Sequence, residues 1–174
     1  MRYYALAAAA LMLTGCTSNG LVHDKNYVRA AAVTSGNSAE ITLAFFSDDT
    51  EPLTVSGESI SDALSRAQLR TGREIFTGFA ELLIIDGGAP AETLEYMLSE
   101  WKLSPSCSVA YSSSGGDVLM AEDAELLRGA VKEAERSGKA PDCGIVTVLK
   151  ELMTDGSAEV AELPDAERTA VIYK

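Results

Sequence analysis

The chemistry open to this chain rests on few side chains. Its 174 residues include three Cys and one His, and one of these stands in a strong pattern. Cys16 ends Leu13-Thr14-Gly15-Cys16, an aliphatic residue and two small ones that fit a peptidase groove, followed by a thiol. Arg2 makes a small positive start, and Tyr3 to Met12 (YYALAAAALM) is apolar. A bilayer span needs ~20 apolar residues, so this stretch is too short to cross and reads as a signal peptide, residues 1–15. In this pattern the Cys16 thiol receives a diacylglyceryl group, and cleavage then makes it the N-terminus. Acyl burial is worth ~0.8 kcal/mol per methylene, so two chains anchor stably where one is marginal. The competing readings are an ordinary cleaved signal with Cys16 a bystander, or a buried N-terminal helix. The expected mature chain has 174 − 15 = 159 residues and, without Arg2, a charge of 13 − 26 = −13. It is expected at the cell membrane, lipid-anchored on the extracytoplasmic face.

Outside the cytoplasm a disulfide is permitted, so Cys107 and Cys143 read either as a bridge or as two separate buried thiols. His23 falls in a polar tether, residues 16–26, and reads as a solvated linker histidine. With a single His there is no HExxH cluster for zinc and no Ser-His-Asp set on a G-x-S-x-G elbow. Ser112 to Gly116 lacks the Lys and spacing of a phosphate cradle and reads as a flexible turn. No cofactor and no metal are expected. The remaining catalytic option is a carboxylate pair, such as Glu92/Glu95 or the Glu122/Asp123/Glu125 group. Among 26 acids such pairs arise by chance on solvated helix faces, so the chain is read as non-enzymatic.

A formal charge of 14 − 26 = −12 excludes nucleic acid as a partner, since phosphates would repel the surface. It also excludes a polybasic grip on anionic lipid. The length suits one domain, residues 27–174, with a core of useful size. Tyr27 to Val33 and Glu40 to Phe46, around Ser35-Gly36-Asn37-Ser38, predict a hairpin. Leu53-Thr54-Val55 is a short strand candidate. Ser59 caps a helix with Asp62 at the capping-box offset, and Gly72 closes it. Glu81 to Asp86 is a continuous apolar run suited to a central strand. Pro90 opens a helix with Leu94, Met97, Leu98 and Trp101 on its apolar face. Cys107 to Tyr111 is a strand. A helix from about Ala121 to Arg136 carries Leu126, Leu127, Ala130, Val131 and Ala134 inward, and another holds Ile145, Val148, Leu149 and Leu152. Val160 to Lys174 is a tail. Strands alternating with helices point to a mixed α/β or α+β fold, one mixed sheet packed with about four helices.

Several stretches together resemble the N-terminal domain of the spore germination receptor C-subunit lipoproteins, the Ger(x)C family. They are the lipobox at Cys16 followed by a hairpin; Ser56-Gly57-Glu58-Ser59-Ile60-Ser61-Asp62-Ala63-Leu64, similar to the family's entry into its first helix; and Ile75-Phe76-Thr77-Gly78-Phe79-Ala80-Glu81-Leu82-Leu83-Ile84-Ile85, similar to its aromatic-x-Gly-His stretch before a buried strand. A helix with Leu94 and Leu98, a strand, and a helical pair ending in Leu163-Pro164 complete the resemblance. Phe79 stands where the family commonly has His, so that side chain's role is absent here. Members also carry a larger C-terminal domain, whereas this chain stops at Lys174, as expected of a shortened form. The resemblance implies a non-catalytic, lipid-anchored subunit of a germinant receptor, assembled with integral-membrane subunits in the spore inner membrane. The alternative is an envelope lipoprotein that binds a small ligand or peptide.

Overall fold

The computed structural model describes residues 25–36, 38–47 and 50–174; Cys16, His23 and the signal-peptide stretch lie outside them. The element order is β1 (Lys25–Ser35), β2 (Ala39–Phe45), β3 (Leu53–Gly57), α1 (Ile60–Thr71), β4 (Glu74–Phe76), β5 (Leu82–Ile85), α2 (Pro90–Ser99), β6 (Ser108–Tyr111), α3 (Gly115–Ala121), α4 (Ala124–Ser137), α5 (Ile145–Asp155), β7 (Ser157–Glu162) and β8 (Thr169–Tyr173). The strands form one mixed sheet in the order β3-β2-β1-β5-β6-β7-β8, with β4 pairing the start of β1. The middle of the sheet, β1-β5-β6-β7, is parallel, and antiparallel pairs close both sides. This is the expected mixed sheet covered by helices, with five helices among the described residues.

The apolar run predicted as a central strand is β5. Leu82, Leu83 and Ile84 are fully buried, and successive side chains of a strand face opposite sides, so both faces of the sheet are covered here. The hairpin register runs from Ser35↔Ala39 to Ala30↔Ala44, with an irregularity between Val28 and Ala30. Strand β1 begins at Lys25, inside the expected tether.

Local sequence accounts for most helix ends. The Ser59 hydroxyl accepts from the Asp62 N–H at 3.2 Å, and the Asp62 carboxylate accepts from the Glu58 N–H at 3.0 Å. Capping is thus reciprocal, one residue earlier than in the standard box. The Glu58 N–H is the main reason that the Asp62 carboxyl lies below its usual range. Gly72, Gly138 and Gly156 end α1, α4 and α5 in the left-handed conformation that costs glycine least.

Three expectations are corrected. Ser112 to Gly116 is not simply a turn, because Gly115 already begins α3, and helix α4 is a separate element behind it. The two glycines serve close approach: a Cβ on Gly115 would lie 2.8 Å from Ile84 Cγ2, and one on Gly116 would lie 2.9 Å from Thr42 Oγ1. Helix α3 therefore lies directly on the sheet. The tail is likewise structured, since Ser157–Glu162 and Thr169–Tyr173 pair as the antiparallel strands β7 and β8. Finally, Leu126 is exposed, while its neighbours Leu127, Val131 and Ala134 face inward.

Replacing Gly115 with Ala is expected to destabilise the fold by about 1–2 kcal/mol. Overpacking costs ~1–3 kcal/mol, and the better helix propensity of Ala returns up to ~1. Urea midpoints of the two proteins measure the difference, and an unchanged midpoint would contradict the close contact with Ile84.

Candidate functional site

The acids singled out from the sequence fall in two separate places, and of the second group Glu122 and Asp123 share a groove of about 340 Å³ with Arg29 and Glu51. Glu92 and Glu95 lie on the exposed face of α2. Asp123 is the N-cap of α4, accepting from the N–H groups of Glu125 and Leu126 at 2.7 and 3.2 Å. Glu125 pairs with Arg29 of β1, tying the start of α4 to the sheet. No group of three His, Cys, Asp or Glu suited to a metal occurs among the described residues.

Cys107 and Cys143 are free and buried. The Val109 N–H donates to the Cys143 carbonyl at 2.7 Å, and the Ile145 N–H donates to the Cys107 carbonyl at 2.9 Å. Ser108 and Gly144 therefore face each other, with the cysteines at diagonal corners. Diagonal neighbours stand ~7–8 Å apart, at or beyond the ~7 Å that a disulfide tolerates. Burial raises both thiol pKa values, and that of Cys107 is pushed up to about 12. The Cys143 sulfur accepts from the Ala161 N–H at 3.4 Å, which fastens α5 to β7. These are packing thiols.

The distinctive surface is an aromatic strip at the start of β1. Along this strand Asn26, Val28 and Ala30 are buried, while Lys25, Tyr27 and Arg29 alternate with them on the more open face. Strand β4 pairs in parallel beside it, placing Phe76 opposite Tyr27. Their rings are tilted, with centroids 5.7 Å apart. Phe79 completes the group, stacked on Tyr27 at 5.9 Å and edge-on to Phe76 at 4.9 Å. On the other side the Arg29 guanidinium lies 4.7 Å from the centre of the Phe46 ring, a cation–π contact.

The backbone that displays Phe79 is fixed at several points. The Ala80 N–H donates to the Thr77 carbonyl at 2.9 Å, closing the turn, and the Thr77 hydroxyl donates to the buried Trp101 carbonyl at 2.9 Å. The Glu81 N–H then joins the Arg29 carbonyl at 2.7 Å, and the Ser108 N–H joins the Glu81 carbonyl at 3.0 Å. Gly78 lets the Phe76 ring and the Lys102 carbonyl approach, since a Cβ there would meet them at 3.2 and 3.3 Å. The turn is rigid, yet Phe79 is 59% exposed.

Charge on the strip is nearly balanced. Lys25 pairs with Glu74 at 2.9 Å and Arg29 with Glu125. A groove of about 390 Å³ beside it is lined by Lys25, Tyr27, Phe46 and Arg73 among others.

The sheet's two outer strands differ. Arg66 and Arg70 of α1 donate to the Ser56 and Thr54 carbonyls at 3.4 and 3.1 Å, guarding the β3 edge. On β8, Val171 and Tyr173 are more than half exposed. No helix among the described residues is long and apolar enough to cross a membrane.

The family model of the spore germination protein N-terminal domain matches residues 22–163. No curated protein and no solved structure matches the chain.

Proposed function

The chain belongs to the family of the spore germination protein N-terminal domain, and on that premise we propose that it is a non-catalytic, lipid-anchored subunit of a spore germinant receptor. The family match over residues 22–163 carries this reading. It covers every described helix and every strand of the sheet except β8, so it concerns the folded domain and not an isolated motif. The lipobox at Cys16 supports attachment to the membrane. The non-catalytic role draws support from the acids, which cap a helix, pair with a cation, or stand on an open helix face. In this reading the domain sits outside the cytoplasm at the spore inner membrane and assembles with integral-membrane receptor subunits.

The test is a tagged pull-down from detergent-solubilised spore membranes, with mass spectrometry of the partners and of the N-terminal peptide. Integral-membrane receptor subunits are expected together with a diacylated Cys16. Their clean absence sinks the receptor reading. A lipidated Cys16 without those subunits transfers the protein to the envelope lipoproteins that bind a small ligand or peptide.

A further inference from the structure

We propose that the aromatic strip of Tyr27, Phe76 and Phe79, with Arg29 and Phe46 beside it, seats in the interface of the bilayer that anchors Cys16. The domain would then stand on the membrane by this end instead of pivoting freely on its lipid. The proposal rests on the lipid-anchor reading of Cys16 and adds to it an orientation and a second contact.

Chain length supplies the first argument. Lys25, where β1 begins, is 25 − 16 = 9 residues from Cys16. An extended chain spans at most ~3.3–3.6 Å per residue, so the start of β1 stays within about 30 Å of the anchored thiol. Tyr27 lies two residues further along, Phe76 is its partner in β4, and Phe79 stacks on it. The strip is thus at the end of the sheet that the anchor holds near the lipid. The Ser35 end of β1 is ten residues farther along the strand.

The exposure of Phe79 is the second argument. Its ring is 59% exposed, on a turn that four backbone and side-chain hydrogen bonds hold in place. The core does not require a phenyl ring there, and the rigid turn keeps the ring from folding inward. Aromatic rings with nearby Lys and Arg stems suit the headgroup level, where one end of each group is apolar and the other wet.

Charge decides the kind of contact. The chain carries −12 overall, and Lys25 and Arg29 at the strip are paired with Glu74 and Glu125. Attraction to anionic lipid cannot drive the approach. The strip engages by aromatic burial and accepts a zwitterionic surface.

The experiment uses the full lipoprotein isolated from membranes and reconstituted in phosphatidylcholine vesicles whose acyl chains carry bromine at carbons six and seven. Phe79→Trp places a reporter on the strip, and Glu92→Trp places one at the opposite end of the sheet. The native Trp101 is 3% exposed and gives the background. Both substitutions fall on exposed positions, where the fold tolerates change, and unchanged thermal unfolding checks this. The expected result is quenching of the Phe79→Trp reporter roughly threefold or more above that of Glu92→Trp, as for a ring at headgroup depth. Adding anionic lipid to the vesicles should not increase the quenching. Equal quenching at both positions, with the N-terminal peptide confirmed as diacylated, overturns this proposal and leaves the anchor standing. A Phe79→Trp reporter that is shielded only when integral-membrane receptor subunits are present also overturns it, by assigning the strip to a protein. An N-terminal peptide without the lipid mass overturns the anchor reading and this inference together.

Discussion

Truncating Ile84 to Ala will destabilise this protein by about 2–5 kcal/mol, the range for emptying a well-packed apolar site. Ile84 is fully buried in the central strand β5, between β1 and β6. Its Cγ2 also supports the first turn of α3, directly beneath Gly115. The cavity therefore opens between sheet and helix. A domain of this size loses ~2–4 °C in Tm per kcal/mol, so thermal unfolding by circular dichroism should show a large drop. Leu126→Ala is the matched control. That side chain is 69% exposed, and surface changes of this kind stay within ~0.5 kcal/mol. Similar losses for the two variants would mean that the burial assigned to β5 is wrong.

Alkylation will find Cys107 nearly inert in the folded protein. Burial pushes its thiol from the ordinary 9.0 up to about 12, and the thiolate is the reactive form. At equal pH below 9 the thiolate fraction falls by ~1,000-fold, since each pKa unit is a factor of ten. Cys143 shifts in the same direction for the same reason. Mass spectrometry after iodoacetamide treatment should leave the peptides of both cysteines unmodified in native buffer and label both in urea. Rapid native labelling, or a linked peptide pair that resists labelling in urea, would contradict the free buried thiols. Stability follows with a definite sign. The folded state keeps these thiols protonated above the pKa of the unfolded chain, so it binds more protons there. Their contribution is complete below pH ~9 and is lost as pH rises toward 12, at up to ~1.4 kcal/mol per unit for Cys107.

Function in this reading comes from position, with no chemistry at a reactive centre. The sheet gives the chain a rigid body whose β1 end lies close in sequence to Cys16. A domain held at that end by its aromatic strip would present the remaining faces, including the open edge of β8, to neighbouring proteins. Within the domain the ion pair of Arg29 with Glu125 and the capping of α4 by Asp123 lock the helical layer to that same end.

Much of the architecture is determined by local physical chemistry and is therefore legible in the sequence. A continuous apolar run such as Leu82-Leu83-Ile84-Ile85 has no stable place except a strand covered on both faces. Ser59 with Asp62, Pro90, and the glycines at 72 and 138 mark helix boundaries, because caps and left-handed turns depend on neighbouring residues alone. The anchor pattern at Cys16 is read in the same way, from adjacent side chains, and lies outside the described residues. Other features needed the tertiary structure. Gly115 and Gly116 look like a flexible turn until Ile84 and Thr42, far away in sequence, are brought against them; only close contact then explains the missing side chains. Strand β8 is too short and too far from a hairpin signal to declare itself, and pairing with β7 creates it. The diagonal placement of Cys107 and Cys143 follows from the pairing of Ser108 with Gly144, which no local pattern announces. The aromatic strip is the clearest case. Tyr27, Phe46, Phe76 and Phe79 are scattered through three segments of ordinary apolar residues, and nothing local distinguishes the exposed ring from the half-buried ones. Parallel pairing of β4 with β1 assembles them, because burial and neighbourhood are properties of the whole fold.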